Sequence, residues 1–221
     1  MHWGVFGEAD PRLLERVEGS SVVRSYNSGD VVFRQGDVGQ ACYVVQTGHF
    51  EADVTTIDGD IMPLRIHPVG SHFGDISLLD QRLRRTATVK AMEGASALVI
   101  SGEAFAELRT SAGVEQALIA KLVDLVVLLT AESTDNAYLS TERRLAKRLL
   151  SLASIYGGAS ARKLEPVTIP MSQEHLATAI GATRSTVNRM LGDLERTGVL
   201  RRSRSRIVIL DQKALASASE S

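Results

Sequence analysis

The sequence has little cysteine, no metal-ligand spacing among its histidines and no long hydrophobic run. Its single cysteine, Cys42, excludes an internal disulfide and any zinc or iron–sulfur site built from cysteines alone within one chain. The most apolar segment, residues 117–131, carries Lys121 and Asp124 and is shorter than the ~20 residues that a membrane span needs. The amino terminus has no basic segment followed by an apolar run, so we expect no export signal, no membrane contact and a cytoplasmic protein.

Two classes of function are also disfavoured by what is missing. The histidines are scattered along the chain without a spacing such as H-x-x-x-H, so we expect no metal site: His2, His49, His67, His72 and His175. No set of nucleophile, base and orienting residue stands out, so we expect no catalytic residue and no enzyme.

The charge that is present is unevenly distributed. Seven arginines and two acidic residues lie between residues 181 and 206, so this segment has a net charge of +5 although the whole chain has −1. Such a division predicts a local contact with a polyanion.

From residue 22 to about residue 100, short runs rich in β-branched residues alternate with turn signals, as in "VVFRQ", "ACYVVQTG" and "SALVI". Runs of this length predict an all-β barrel or sandwich. Four glycines are predicted to provide turn positions with positive φ: Gly29, Gly36, Gly48 and Gly59. The "DGD" at residues 58–60 predicts a hairpin turn, with a calcium site as the alternative.

A long helix is predicted over residues 113–135. Leu118, Leu122, Leu125 and Leu129 form a heptad seam, and Ile119, Val123, Val126 and Val127 widen the apolar surface. So wide a stripe favours packing against the same helix of a second subunit, and the alternative is a helix buried within one chain. The polar segment "ESTDNAYLST" then indicates a break, and we place a domain boundary near Asn136.

The carboxy-terminal part, residues 136–221, contains a pattern typical of a helix-turn-helix. One helix is predicted from Ser172 to Ile180 and a second from Arg184 to Arg196, separated by the turn "GAT". Ser172 and Thr183 stand where N-cap hydroxyls are expected. The segment "GVLRRSRSRIVIL" predicts two short strands around an arginine-rich loop.

The second of these helices has two different faces. Val187, Met190, Leu191 and Leu194 share one side, and the opposite side is polar: Arg184, Ser185, Asn188 and Arg189. Arginine can bond to guanine O6 and N7 and asparagine to adenine N6 and N7, so this face has the chemistry to read bases in a DNA major groove. The alternative is a solvated helix face. The hairpin also carries four arginines that are predicted to contact phosphates or the adjacent minor groove: Arg201, Arg202, Arg204 and Arg206.

One further stretch, "FGDISLLDQRLRRTATV" at residues 73–89, combines groups suited to a sugar phosphate. Gly74 lets backbone approach a ligand, Arg85 and Thr86 offer donors to a phosphate, and Asp75 can accept a bond from a sugar hydroxyl. Taken alone, the stretch is equally well interpreted as a hairpin with a basic surface loop.

The whole series of segments resembles the CRP/FNR family of bacterial transcription regulators, named for the cyclic-AMP receptor protein. The resemblance rests on "YNSGDVVFRQGDVGQACYVVQTG", on the stretch at residues 73–89 and on "SQEHLATAIGATRSTVNRMLGDLERTGVL". It implies an α+β chain with a jelly-roll β-barrel of the cyclic-nucleotide-binding type at residues 1–112, a dimerisation helix at 113–135 and a winged helix-turn-helix at 136–221.

The resemblance also implies roles for individual residues. Asp75 would receive the ribose 2′-hydroxyl, and Arg85 and Thr86 would hold the cyclic phosphate. Gly74, Ile76 and Ser77 would supply close backbone. On the DNA side, Arg184 and Arg189 would read bases, and Ser172, Thr183 and Thr186 would contact phosphates. The partners implied are a palindromic double-stranded operator, a second copy of the chain and RNA polymerase.

Three positions depart from the family pattern. In the stretch at residues 73–89, called the cassette below, the acidic residue of the family is usually glutamate, whereas Asp75 is one methylene shorter. The pair of hydroxyl residues that faces the adenine in cyclic-AMP binders corresponds to Leu129 and Thr130, so a single hydroxyl remains and the base is open between adenine and guanine. Ser185 stands where glutamate is common, which removes an acceptor for cytosine N4.

The resulting hypothesis is a homodimeric DNA-binding regulator controlled by cyclic AMP or cyclic GMP, with no covalent cofactor. One alternative keeps the DNA function with another effector or none. A second is a nucleotide-responsive regulatory subunit whose last helices bind protein. Under the leading hypothesis, Arg85→Leu abolishes the nucleotide response and leaves the fold intact.

Overall fold

The computed structural model describes residues 1–80, 82–157, 164–203 and 205–220, and the chain divides into two compact units, Met1–Val127 and Leu128–Ser221. The strands of the first unit are β1 (Val22–Tyr26), β2 (Val31–Phe33), β3 (Ala41–Thr47), β4 (Phe50–Thr55), β5 (Ile61–His67), β6 (His72–Phe73), β7 (Thr88–Ala91) and β8 (Ala95–Ser101). Its helical segments are a 3₁₀ helix (Gly4–Glu8), α1 (Pro11–Ser20), α2 (Ile76–Leu79) and α3 (Gly102–Leu108). The long helix α4 (Ala112–Tyr138) continues into the second unit.

The second unit contains short helices and a small sheet. Its further elements are α5 (Thr141–Gly157), β9 (Val167–Ile169), α6 (Gln173–Ala179), α7 (Arg184–Arg196), β10 (Leu200–Ser203), β11 (Arg206–Ile209) and α8 (Gln212–Glu220). The three strands pair in the order β10-β11-β9. No helix among the described residues is long and apolar enough to cross a membrane.

The predicted barrel is confirmed as two four-stranded antiparallel sheets, ordered β1-β8-β3-β6 and β2-β7-β4-β5. Alternating residues of β4, Phe50 and Ala52, enter a core that also contains Tyr43 from the opposite sheet. Side chains alternate between the two faces of a strand, so β-branched and aromatic residues at every second position fill the space between the sheets. All four turn glycines have positive φ, as predicted, and "DGD" forms the hairpin turn between β4 and β5.

A second core covers the outer face of the β1-β8-β3-β6 sheet with helices that the sequence reasoning did not predict. Phe6, Leu13 and Val17 from the amino-terminal segment are buried with Phe105 and Leu108 of α3. Helix α1 begins at Pro11 because the carboxylate of Asp10 accepts the Arg12 N–H at 2.8 Å, and proline at the first helical position needs no hydrogen bond. Trp3, the one tryptophan of the chain, packs against this core.

The long helix extends further than predicted. It runs through Asn136, where the sequence suggests a break, and ends at Tyr138. From Val114 onward it contains no glycine or proline to interrupt its hydrogen bonds, so the polar composition of residues 132–138 does not stop it. Within the single chain Leu118 is buried, but most of the apolar stripe beyond it is exposed, including Val126 and Val127.

The second helix of the helix-turn-helix has the predicted bounds, and the first is one residue shorter than predicted at each end. Ser172 caps α6 by accepting the His175 N–H at 3.1 Å, and Thr183 caps α7 by accepting the Thr186 N–H at 3.2 Å. Gly181 has positive φ in the turn between the helices. The predicted hairpin is formed by β10 and β11, which pair from Leu200↔Ile209 to Ser203↔Arg206.

Candidate functional site

The stretch at residues 73–89 folds back on itself so that Arg85 returns to Gly74. Phe73 ends β6, Asp75 precedes the single turn of α2, and Arg85 and Thr86 lie just before β7. Arg85 Nη1 donates to the main-chain oxygen of Gly74 at 2.5 Å and to Ser77 Oγ at 2.9 Å. Three of the predicted effector residues therefore meet: Gly74, Ser77 and Arg85.

Arg85 is 5% exposed, although arginine is among the residues least often buried. Its Nη2 donates to the main-chain oxygen of Ala41 at 2.7 Å, and its guanidinium lies 4.0 Å from the centroid of the Phe33 ring. Burial lowers the pKa of Arg85 from its ordinary value. Within the described residues its Nε has no hydrogen-bond acceptor and it forms no ion pair, although the charges of Asp37 and Asp75 partly oppose the effect of burial on its pKa.

The position of the Arg85 guanidinium requires a glycine at residue 74. Its φ is +81°, and a Cβ at this position would lie 2.7 Å from Arg85 Nη1. Backbone conformation and the lack of space both exclude a side chain here. The glycine of the cassette therefore lets Arg85 reach the backbone of residue 74.

Asp75 contacts a residue that the sequence reasoning did not select. His72 Nε2 lies 3.3 Å from Asp75 Oδ2, and both side chains are mostly buried. Burial raises the pKa of Asp75, but the bond from His72 and the two nearby imidazoles outweigh burial and hold the pKa below its ordinary value. The His72 ring also packs edge-on against the Phe6 ring, with 5.7 Å between the ring centroids. Asp75 is therefore linked through His72 to the amino-terminal segment.

The remaining predicted effector residues are more open. Thr86 is exposed next to Arg85, and Ile76 is half-buried. Leu129 and Thr130 are exposed on α4 within the second unit. The structure does not test the ligand role predicted for any of them.

Strand β5 adds two residues that were missed. Phe50 pairs with His67 and Ala52 with Arg65, and paired residues in an antiparallel sheet point to the same face. Since Phe50 and Ala52 enter the barrel core, Arg65 and His67 also face inward. Burial, together with the positive charges of Arg65 and His72, lowers the pKa of His67 to about 3. The alternation in "PLRIH" was the signal that could have revealed both.

The recognition helix α7 has the two faces that the sequence predicts. Val187, Met190 and Leu191 are buried, and the opposite face is exposed: Arg184, Ser185, Asn188 and Arg189. The hydroxyls predicted to contact phosphates at the start of α7 also bond to each other, since Thr183 Oγ1 lies 2.8 Å from Thr186 Oγ1 and 2.9 Å from Ser185 Oγ. Capping therefore uses part of their bonding capacity.

The hairpin of β10 and β11 forms the wing of the winged helix-turn-helix. One of its arginines, Arg202, does not point to solvent as expected. Arg201 and Arg206 are exposed, but the guanidinium of Arg202 is turned toward α7, where it bonds to Glu195 and Asn188. Arg202 is predicted to contact a phosphate or the adjacent minor groove, and in the structure its guanidinium is held by these internal bonds. Arg204 lies outside the described residues.

Two family models match the chain, one in each of these regions. The cyclic nucleotide-binding domain matches residues 23–111, and the Crp-like helix-turn-helix domain matches residues 143–218. The first range contains the whole cassette and the second contains both helices of the helix-turn-helix. The two matches are in the order that the sequence analysis predicts.

Individual relatives cover most of the chain. The cyclic AMP receptor protein of Thermus thermophilus is 31% identical over 179 residues, 80% of this chain and 79% of that protein. A CRP-like cAMP-activated global transcriptional regulator of Mycobacterium tuberculosis is 25% identical over 96% of this chain and 95% of its own length. The fold is similar to that of the c-di-GMP responsive global regulator CLP of Xanthomonas campestris, with a TM-score of 0.74, 22% identity and coverage of 91% of this chain and 99% of that one. The chain belongs to the CRP/FNR family of transcription regulators and joins a cyclic-nucleotide-binding domain to a Crp-like DNA-binding helix-turn-helix.

Proposed function

We propose that the protein is a homodimeric, sequence-specific transcription regulator whose DNA affinity is controlled by cyclic AMP or cyclic GMP bound in the barrel. The observation that carries the effector assignment is the buried guanidinium of Arg85, which has no ion-pair partner among the described residues and whose Nε lacks an acceptor. A buried cation is costly unless an anion compensates it, and a cyclic phosphate supplies both the charge and the missing acceptor.

The roles proposed within the site follow from chemistry and position. Arg85 and the neighbouring Thr86 would hold the phosphate, and Asp75 would accept the ribose 2′-hydroxyl, with Gly74, Ile76 and Ser77 providing close backbone. The ribose hydroxyl would compete with His72 for the carboxylate of Asp75. The relative named as cAMP-activated supports a cyclic nucleotide as the effector class.

Dimerisation through α4 is supported by the apolar surface of that helix. Ile119, Val123, Val126 and Val127 are each more than half exposed in the single chain, and a contiguous apolar stripe of this kind is typical of a helix that packs on another. A second copy would cover this stripe. In the dimer, the base would lie near Leu129 and Thr130.

The proposed mechanism is a population shift. The effector favours the dimer geometry that spaces two recognition helices by about 34–36 Å, one turn of DNA. A coupling of about 1–3 kcal/mol changes the DNA affinity by about 5- to 150-fold. Arg184 and Arg189 would read bases of a palindromic operator, and RNA polymerase is the further partner that the family resemblance predicts.

Isothermal titration calorimetry of the purified protein with cyclic AMP and with cyclic GMP tests the effector. Saturable heat with one nucleotide and a matching rise in operator affinity supports the proposal and identifies the base. Absence of heat with both nucleotides contradicts the effector assignment and leaves the DNA-binding function standing.

The alternative is the same regulator with a different effector or none. It is favoured by the internal contacts of the cassette, because Arg85 already has three protein acceptors and Asp75 has His72. Strong operator binding by nucleotide-free protein, with no thermal shift when either nucleotide is added, would select this alternative.

A further inference from the structure

Arg202 belongs to the wing strand β10, yet its side chain lies along the recognition helix α7. Its main-chain N–H and its Nε donate to the two carboxylate oxygens of Glu195 at 3.0 and 2.9 Å. At its other end, Nη1 donates to the main-chain oxygen of Asn188 at 2.7 Å and also to the side-chain oxygen of Asn188. One guanidinium therefore joins two residues that are about two turns of helix apart.

Gly192 makes room for this arrangement. It lies in the interior of α7, where glycine costs about 1 kcal/mol relative to alanine. A Cβ at position 192 would lie 3.3 Å from Nη2 of Arg202, which is closer than most carbon contacts allow. The glycine thus lets the guanidinium lie flat against the helix.

Glu195 fixes the other end of the guanidinium. The main-chain N–H and the guanidinium of Arg202 lower the pKa of Glu195, so its carboxylate stays charged at neutral pH. Glu195 therefore binds the Nε end of the guanidinium, and Asn188 binds its Nη1 end. It approaches Asn188 in one defined orientation.

The bond to Asn188 determines which atoms of that side chain face outward. An asparagine amide has one oxygen that accepts and one NH₂ group that donates. Because Nη1 bridges the side-chain oxygen and the main-chain oxygen of Asn188, the oxygen is turned toward Arg202 and the NH₂ group away from it. Bidentate recognition of adenine needs that oxygen to face adenine N6.

We propose that Arg202 is a positioning residue that sets the base preference of Asn188. With its oxygen held by Arg202, Asn188 presents its NH₂ group to acceptors on a base edge, such as guanine O6 and N7 or thymine O4, and does not read adenine. This inference rests on the proposed DNA-binding function and replaces the adenine contact that the sequence predicts for Asn188. Arg202 acts through Asn188 and does not itself contact a phosphate.

The test is selection of operators from a randomised DNA pool by the full-length parent, Asn188→Ala, Arg202→Met and the double variant. The base pair read by Asn188 is the one at which Asn188→Ala loses its preference. We expect the parent to prefer guanine or thymine there, and Arg202→Met to shift the preference toward adenine by about tenfold, a typical discrimination by one side chain. The double variant should match Asn188→Ala at this position.

Other outcomes overturn the inference. A parent preference for adenine, an unchanged preference in Arg202→Met, or no lost preference in Asn188→Ala each contradict it. If Arg202 contacts phosphate instead, Arg202→Met weakens binding to all sequences alike and reduces the salt slope by about 1. Arg202→Gln should give the same shift and serves if Arg202→Met does not fold. A parent that enriches no sequence contradicts DNA recognition itself, which is a distinguishable failure.

Discussion

Arg85 in the barrel and Arg184 on the recognition helix are both predicted to bind a ligand, yet Arg85 is 5% exposed and Arg184 lies in solvent. Arg85 and Asp75, two of the residues proposed to hold the effector, already have protein partners, whereas the face proposed to meet DNA is largely open. We therefore expect an effector to compete with internal contacts of Arg85 and Asp75 in the barrel. DNA meets a helix surface whose side chains are already in place.

The difference in burial between the barrel site and the recognition helix has a thermodynamic consequence. Replacing internal contacts couples ligand binding to a local rearrangement, which is what a switch requires. A surface whose residues contribute little to folding can change its specificity without loss of stability. Substitutions in the two regions should therefore separate the effects on stability from the effects on binding.

The largest effect is expected on the exposed face. Replacing both Arg184 and Arg189 with alanine should weaken specific operator binding by about 2–6 kcal/mol, because each bidentate base contact contributes about 1–3 kcal/mol. Stability should change by less than about 0.5 kcal/mol, since the pair between Arg189 and Glu142 is exposed and spans 3.8 Å. Fluorescence anisotropy with operator DNA and thermal melting measure the two quantities. Arg201→Ala is the control and should lower affinity for all sequences alike.

In the barrel, binding and stability should change together. Arg85→Leu leaves three oxygens without their donor, those of Gly74, Ser77 and Ala41, so we expect the unfolding free energy of the first unit to fall by about 2–4 kcal/mol along with loss of nucleotide binding. This revises the expectation that the substitution leaves the fold intact. Trp3 packs in the same unit, so its fluorescence in urea reports this transition.

Thr86→Val is the matched control for the cassette. Thr86 is exposed, so the variant should keep the parental urea midpoint and still lose nucleotide affinity by about tenfold or more, because a hydrogen bond to a charged group contributes about 1.5–3 kcal/mol. Parental stability and parental nucleotide affinity in Arg85→Leu would contradict both roles of the arginine.

Acid should act on the barrel through His67. Its pKa in the folded protein is about 3, below the ordinary value of 6.5, so below pH 6.5 the unfolded chain binds a proton that the native state does not. The stability associated with neutral His67 is complete above pH 6.5 and is lost as the pH falls toward 3, by at most about 1.4 kcal/mol per pH unit. His67→Gln should flatten this decline in Trp3-monitored urea unfolding, and the exposed His2→Gln should not. An equally steep decline in His67→Gln would contradict the assignment.

The smallest effect is expected where one internal contact competes with the ligand. His72→Phe keeps an aromatic ring against Phe6 but frees Asp75, so nucleotide affinity should rise by a few-fold, about 0.5–1 kcal/mol. Calorimetry at neutral pH measures this, with Arg16→Ala, on an exposed pair with Glu107, as the control. A fall in affinity would show that His72 supports the acid and does not compete for it.

Local chemistry explains how far the sequence predicts this fold. Helix α7 has the predicted bounds and α6 lies within one residue of them at each end, because Ser172 and Thr183 are strong caps and Gly181 allows the turn between the helices. Most of the barrel strands are visible as β-branched runs between turn glycines. The two-residue strand β6 is too short to show a period, and it is hidden inside the cassette.

What the sequence does not predict depends on contacts between distant segments. Arg85 bonding to Ala41, His72 packing edge-on against Phe6, and Arg202 bonding to Asn188 leave no local pattern. The contacts of Arg85 and Arg202 change the interpretation of residues that the sequence selects. The sequence could thus predict which residues form the candidate sites, but not which atoms those residues leave available.

The close approach of Arg202 to Gly192 also has an evolutionary consequence. A side chain at position 192 crowds the guanidinium, so a relative that gains one there loses the advantage of arginine at the wing position, and the reverse substitution is equally disfavoured. The two positions should therefore vary as a pair among descendants of a common ancestor. A lineage that changes its target DNA at this base pair is expected to pass through both substitutions together, and aligned sequences of its members would record the correlation.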